Sequence, residues 1–273
     1  MKSFMIIVIL LLVLSCESDT SNDSNSSNFT HTDYEVLFEN DPNGITLFFT
    51  GVNYKGSDFD KEIGRYRFDA IRVINKIFET PPFSEYKENY NAIILYLDPE
   101  PDQDSFETSP EQMVRSLFPN FKETDIILIS TKNASRNQGT AGAVDAAFPN
   151  NNMWIMIHEV GHVAGKLGEE YRVPCNFLED TSTTANLDIT NDEQLVKWKH
   201  FINLPGYNEI GVFKRSCGTP YAAWKPSRNC IMDEGAKFCA VCREAIVKNI
   251  MIATNRPYDF EDFLEMDLKN TNR

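Results

Sequence analysis

Apolar residues along the chain fall into runs of different period, and the period names the element. "GITLFFTGVNY" (Gly44 to Tyr54) is continuously apolar and β-rich, then closes on asparagine, which predicts a buried strand and a loop. From Asp60 to Thr80, Ile63, Phe68, Ile71, Ile74 and Phe78 recur at roughly helical spacing, and Pro81-Pro82 stop the run. "NAIILYLDPE" (Asn91 to Glu100) and "TDIILIST" (Thr124 to Thr131) predict two more strands. Strands alternating with helices imply an α/β layer around a mixed, partly parallel sheet. "NQGTAGAVDAAFPNNNM" (Asn137 to Met153) is small and glycine-containing, and reads as an edge strand and a loop entering a helix near Met153. After Tyr171 the pattern becomes loop-rich, with "KWKHFI" (Lys197 to Ile202) as a short element and "AVCREAIVKNIMIATN" (Ala240 to Asn255) as a late helix.

The start of the chain follows a different pattern. Lys2 precedes an unbroken apolar run from Met5 to Leu14, ten residues long and too short for a permanent membrane span. This is an export signal. It ends in Val13-Leu14-Ser15-Cys16, which resembles the bacterial lipobox, where a small residue precedes a cysteine that is lipidated. An ordinary cleaved signal followed by an unrelated cysteine is the alternative. Glu17 to Asp33 is rich in Ser, Asn, Asp and Thr with one aromatic residue and cannot bury a core, so it reads as a leash. The expected organisation is a signal over 1–15, a lipidated N-terminus and flexible tether over 16–40, and one domain over 41–273.

Charge and cysteines narrow the partners. A net charge of −14 leaves no basic surplus for phosphates and argues against nucleic acid. Beyond Cys16 there are Cys175, Cys217, Cys230, Cys239 and Cys242. In an exported chain these are expected in disulfides, with one left over. A structural zinc site of four thiolates from Cys217, Cys230, Cys239 and Cys242 is the alternative.

The chemistry concentrates in "MWIMIHEVGHVAGKLGEEYR" (Met153 to Arg172). His158, Glu159 and His162 form H-E-x-x-H. On a helix, positions i and i+4 share a face, so both imidazoles can meet one zinc ion. Glu159 lies one step round and is placed to act as general base on a water at the metal. Between Met153 and Gly165 these three are the only titratable residues. Two imidazoles and a carboxylate in so apolar a setting need partners, which a metal and a water supply. Gly165 ends the helix or turns the chain. In H-E-x-x-H-x-x-G-x-x-H the third ligand would fall on Gly168, which has no side chain. Glu169 and Glu170 are the nearest donors. Adjacent residues of an extended segment point opposite ways, so one binds and the other serves as a supporting group or ties the loop to the core.

These residues resemble the IgA peptidase M64 family of zinc metallopeptidases, over most of the mature chain. Family members carry a helix of the form H-E-F-G-H-S-F-x-G-L-x-D-E-Y, beside "HEVGHVAGKLGEEY" here. "KWKHFI", "IGVF" (Ile210 to Phe213), "WKPSRNCIM" (Trp224 to Met232) and "FCAVCREAI" (Phe238 to Ile246) are similar to further family segments in the same order. The resemblance implies a zincin-type, metzincin-like α/β fold with an active-site helix and a loop-rich C-terminal part. Aligned on Tyr171, it implies Glu169 as third ligand over Glu170. It also implies that Met232 occupies the methionine turn beneath the metal. Tyr171 is expected either to hydrogen-bond the reacting group or to act as a structural anchor, and His200 to be a core or rim residue.

The expected function is a zinc-dependent endopeptidase acting on extracellular proteins or peptides, lipid-anchored through Cys16 outside the cytoplasm, at the outer membrane or cell surface. Two other readings stand beside it: a zinc hydrolase of a non-peptide amide, and a non-catalytic surface-binding lipoprotein with zinc as a strut. A strut has no need of Glu159.

Overall fold

The computed structural model describes residues 32–97, 110–133, 139–171, 181–215 and 223–271. The signal, Cys16, Cys175 and Cys217 lie outside the described residues. In chain order come β1 (Thr32–Glu39), β2 (Ile45–Val52), α1 (Arg65–Phe78), β3 (Tyr90–Leu97), α2 (Pro110–Leu117), β4 (Ile126–Thr131), β5 (Thr140–Ala141) and β6 (Asp145–Pro149). Then follow α3 (Met153–Gly165), β7 (Phe213–Lys214), β8 (Trp224–Lys225), α4 (Ala240–Ala253) and α5 (Phe260–Thr271). The protein is mixed α/β, as its sequence pattern implies.

One sheet organises the molecule, in the order β1-β3-β2-β4-β6-β5. Strands β3, β2, β4 and β6 run parallel, and β1 and β5 close the two edges antiparallel. Its two faces read off alternate residues, as a pleated strand requires. Leu47 and Phe49 of β2 face the larger core with α1, α3 and α4, whereas Phe48 faces a smaller cluster with Val114 of α2. Central strands buried on both faces explain why the β2, β3 and β4 segments are continuously apolar.

The sequence expectations need correction at several places. Residues 32–39, assigned to the tether, form edge strand β1. Its pattern is hidden because Glu35 turns inward, where Arg67 binds it at 2.7 Å and Tyr96 donates to it at 2.9 Å. The α1 face also differs from its simple period. Ile63 precedes the helix and is exposed, and Phe68 is exposed as well. The buried face instead includes Asp69, which accepts from Tyr54, Arg65 and Asn150 at 3.0 Å each. Helices α2 and α5 have no counterpart among the expected elements.

Candidate active site

Helix α3 carries the motif and is held along its length. Asn152 caps its start, accepting from the Ile155 amide at 3.1 Å. Gly165 is its last residue, as expected, and Lys166 follows in the left-handed region (φ 49°). The helix packs on β6 and on α4, which explains why its sequence is apolar nearly all round. At Gly161 the neighbours are so close that a Cβ would come within 2.6 Å of Phe238 and 2.9 Å of the Met232 sulfur. Met232 therefore sits directly against the helix at Gly161.

His158, His162 and Glu169 converge. The two Nε2 atoms are 3.2 Å apart, and the Glu169 carboxylate lies 3.1 Å from His158 Nε2 and 3.3 Å from His162 Nε2. Metal bonds of about 2.0–2.1 Å at tetrahedral angles put donor atoms about 3.3–3.4 Å apart, so the triangle has the size of one zinc face. The other ring nitrogens define the tautomers. His158 Nδ1 meets the Ile231 carbonyl at 2.8 Å and His162 Nδ1 meets the Leu167 carbonyl at 2.6 Å. A carbonyl only accepts, so each Nδ1 carries the hydrogen and each neutral ring turns a bare Nε2 inward. Two bare nitrogens and a carboxylate facing one point repel unless a cation or protons join them. The donor set fits zinc.

Burial acts to raise the Glu169 carboxyl, but when protons on the two Nε2 atoms stand where a cation would, His158 and His162 donate to it, outweigh burial and hold it down to about 2. Burial acts to lower His162, and its bond to Glu169 outweighs that and raises it. Burial raises Glu159, against the opposing pull of the two histidines. Tyr171 donates to Glu169 at 2.9 Å, so it orients that carboxylate from beside the His158 ring. Trp154 stacks on His158, with ring centroids 5.3 Å apart, and donates its indole N–H to the Gly235 carbonyl.

Glu159 opens into a cleft of about 1440 Å³ that also takes in His158, His162, Glu169 and Tyr171. One wall is β5 with Gly139 before it. A Cβ at position 139 would meet the Glu159 carboxylate oxygen at 2.5 Å, so glycine is what lets the edge strand pass so close to the base.

Glu170 does not join this group. Its amide donates to the Met232 carbonyl at 2.8 Å, and its side chain turns away into the core toward Cys242. The residue that separates the two glutamates is Asn186, which no sequence signal singled out. Its side chain accepts from the Gly168 amide at 2.7 Å, donates to the Gly168 carbonyl at 2.9 Å, and donates to Glu170 at 2.8 Å. Cys230, Cys239 and Cys242 are free thiols, with Sγ separations of 3.6 Å (230–242) and 3.5 Å (239–242) rather than the roughly 2.05 Å of a disulfide. The disulfide expectation therefore fails for these three. His200 lies against Glu244 at 3.1 Å and outside the cleft lining, which makes it structural.

No family model matches the chain, and no curated protein matches it.

Proposed function

We propose that this protein is a zinc-dependent endopeptidase of the zincin type, metzincin-like in its helix, third ligand and methionine, and akin to the IgA peptidases its short motifs resemble. The observation that carries the reading is the inward-facing set of His158 Nε2, His162 Nε2 and Glu169 in an open cleft beside Glu159. When bound there, zinc would polarise the substrate carbonyl and acidify a water. Glu159 takes the proton of the attacking water on its carboxylate and delivers it to the leaving amine nitrogen. Tyr171 holds Glu169 in place, and Trp154 holds the His158 ring.

A peptide substrate is favoured over other amides by β5. It is the edge of the sheet among the described residues and it lines the cleft. An extended peptide can add to such an edge through main-chain hydrogen bonds, which needs no particular side chain. Under this reading the N-terminal apolar run and Cys16 export the enzyme and tether it outside the cytoplasm. No described helix is long and apolar enough to cross a membrane.

The test is cleavage of a mixed, internally quenched peptide library by zinc-loaded protein. Cleavage that a chelator stops and zinc restores is the expected result. Glu159→Gln should keep its zinc and lose about 10²–10⁴-fold in rate. Equal rates for wild type and Glu159→Gln, or no cleavage by either, would overturn the reading.

A further inference from the structure

We propose that Cys230, Cys239, Cys242 and Glu170 form a second metal site, closed and structural, that takes zinc or a similar thiolate-seeking divalent ion. The four side chains come from three separate places. Glu170 follows α3, Cys230 lies in the turn after β8, and Cys239 and Cys242 open α4. Their ligand atoms all lie within 4.8 Å of one another.

The distances fit a metal better than any other partner set. Zinc–sulfur bonds of about 2.3 Å at tetrahedral angles place sulfurs about 3.8 Å apart, with a carboxylate oxygen slightly nearer. The observed separations are 3.6 and 3.5 Å between sulfurs and 3.3 Å from Cys242 Sγ to Glu170 Oε1. The Cys239-x-x-Cys242 spacing is that of a metal knuckle, with Cys239 at the N-cap of α4. The Cys239 amide donates to Cys230 Sγ at 3.4 Å, and the α4 N-terminus faces the cluster, both of which favour negative sulfur.

Burial supplies an independent observation. All four residues are 3% exposed or less, and Glu170 Oε2 is buried with no hydrogen-bond partner. An orphaned carboxylate oxygen in the core is destabilising unless something engages it. A disulfide does not remove that cost. It would join two of the sulfurs and leave the third thiol and the carboxylate as they are. A cation at the centre engages all four groups at once. With every position taken by protein and no cleft at hand, the site has no room for substrate, which marks it as structural. It joins the end of α3 to α4 and the Cys230 turn, and so holds Glu170 inward while its neighbour Glu169 faces the cleft.

Cobalt is the probe, because cobalt–thiolate bonds give an intense near-ultraviolet charge-transfer band that histidine and carboxylate ligands do not. The full chain, purified reduced and loaded with cobalt, should bind two equivalents and show the band. A His158→Ala/His162→Ala chain should bind one and keep the band in full, so the result stands or falls separately from the peptidase reading. Cys239→Ser should lose one equivalent and most of the band. If that variant does not fold, the double-histidine chain decides alone. A Cys175→Ser/Cys217→Ser chain should keep both equivalents and the band. The proposal is overturned if wild type shows no band, if the double-histidine chain lacks it, or if the Cys175/Cys217 pair is needed for it.

Discussion

Glu169 and Glu170 are neighbours in sequence and belong to clusters of opposite character. Glu169 sits 19% exposed with two imidazoles, on the wall of a large cleft that Glu159 also lines. Glu170 is 1% exposed, among three thiols, with no opening to solvent. Hard and borderline donors with an open side suit a reactive metal, whereas soft donors that close the shell suit a strut. Under the two proposals, one peptide bond separates a reactive metal from a structural one. The lesson is that a side chain can be placed by its neighbour: holding Glu170 in the core leaves Glu169 one direction to face.

Asn186 is where that comparison breaks most severely. It makes three buried hydrogen bonds to Gly168 and Glu170, so Asn186→Ala orphans an amide and a carbonyl and frees the loop. The expected cost is about 3 kcal/mol in urea unfolding, together with weaker metal at both clusters. An effect confined to one cluster would show that the two glutamates are placed independently.

Tyr171→Phe sharpens the contrast, because its hydroxyl touches Glu169 alone of the two. Outer partners of metal ligands are worth about 10–100-fold in affinity. A chelator competition should show a loss of that size for the histidine-bound metal and none for the thiolate-bound one.

The smallest effect belongs to a carboxylate that serves neither cluster. Glu244 on α4 accepts from His200 at 3.1 Å and Tyr258 at 2.8 Å, and pairs with Lys248 at 2.7 Å. Burial acts to raise it, but the bonds from His200 and Lys248 outweigh burial and lower it. A carboxyl lowered in the folded state adds stability that is complete above its unfolded value, about 4.3, and is lost as pH falls through the folded value. Glu244→Gln should flatten that acid limb of the stability curve by about 1 kcal/mol at most, since His200 and Lys248 are partly exposed. Metal content should not change.

What the sequence conveys follows from how local the determining interactions are. Strands β2, β3 and β4 and helices α3 and α4 are legible because their apolar runs are long and face the core directly. His158, Glu159 and His162 are legible because one turn of helix suffices to bring them together. The elements that escape notice bury polar groups against distant partners. In β1 this is Glu35 with Arg67. In α5 it is Asp267, which pairs with Arg243 at 2.5 and 2.7 Å and interrupts the apolar face. The opposite turns of Glu169 and Glu170 depend on Asn186 and on the Met232 carbonyl, both far along the chain. The cysteines are hard to read for a related reason: C-x-x-C spacing is equally compatible with a disulfide and with a metal, and the buried carboxylate of Glu170 beside them is far away in the sequence.

The most direct measurement is the zinc content of the purified chain as wild type, Glu169→Ala and Glu170→Ala, side by side with peptide hydrolysis. Wild type is expected to hold two zinc ions and to cleave. Glu169→Ala should hold only the thiolate-bound ion and not cleave. Glu170→Ala should lose or weaken that ion and keep the histidine-bound one. A wild type without zinc, or a Glu169→Ala chain that retains both ions and full activity, would contradict the account.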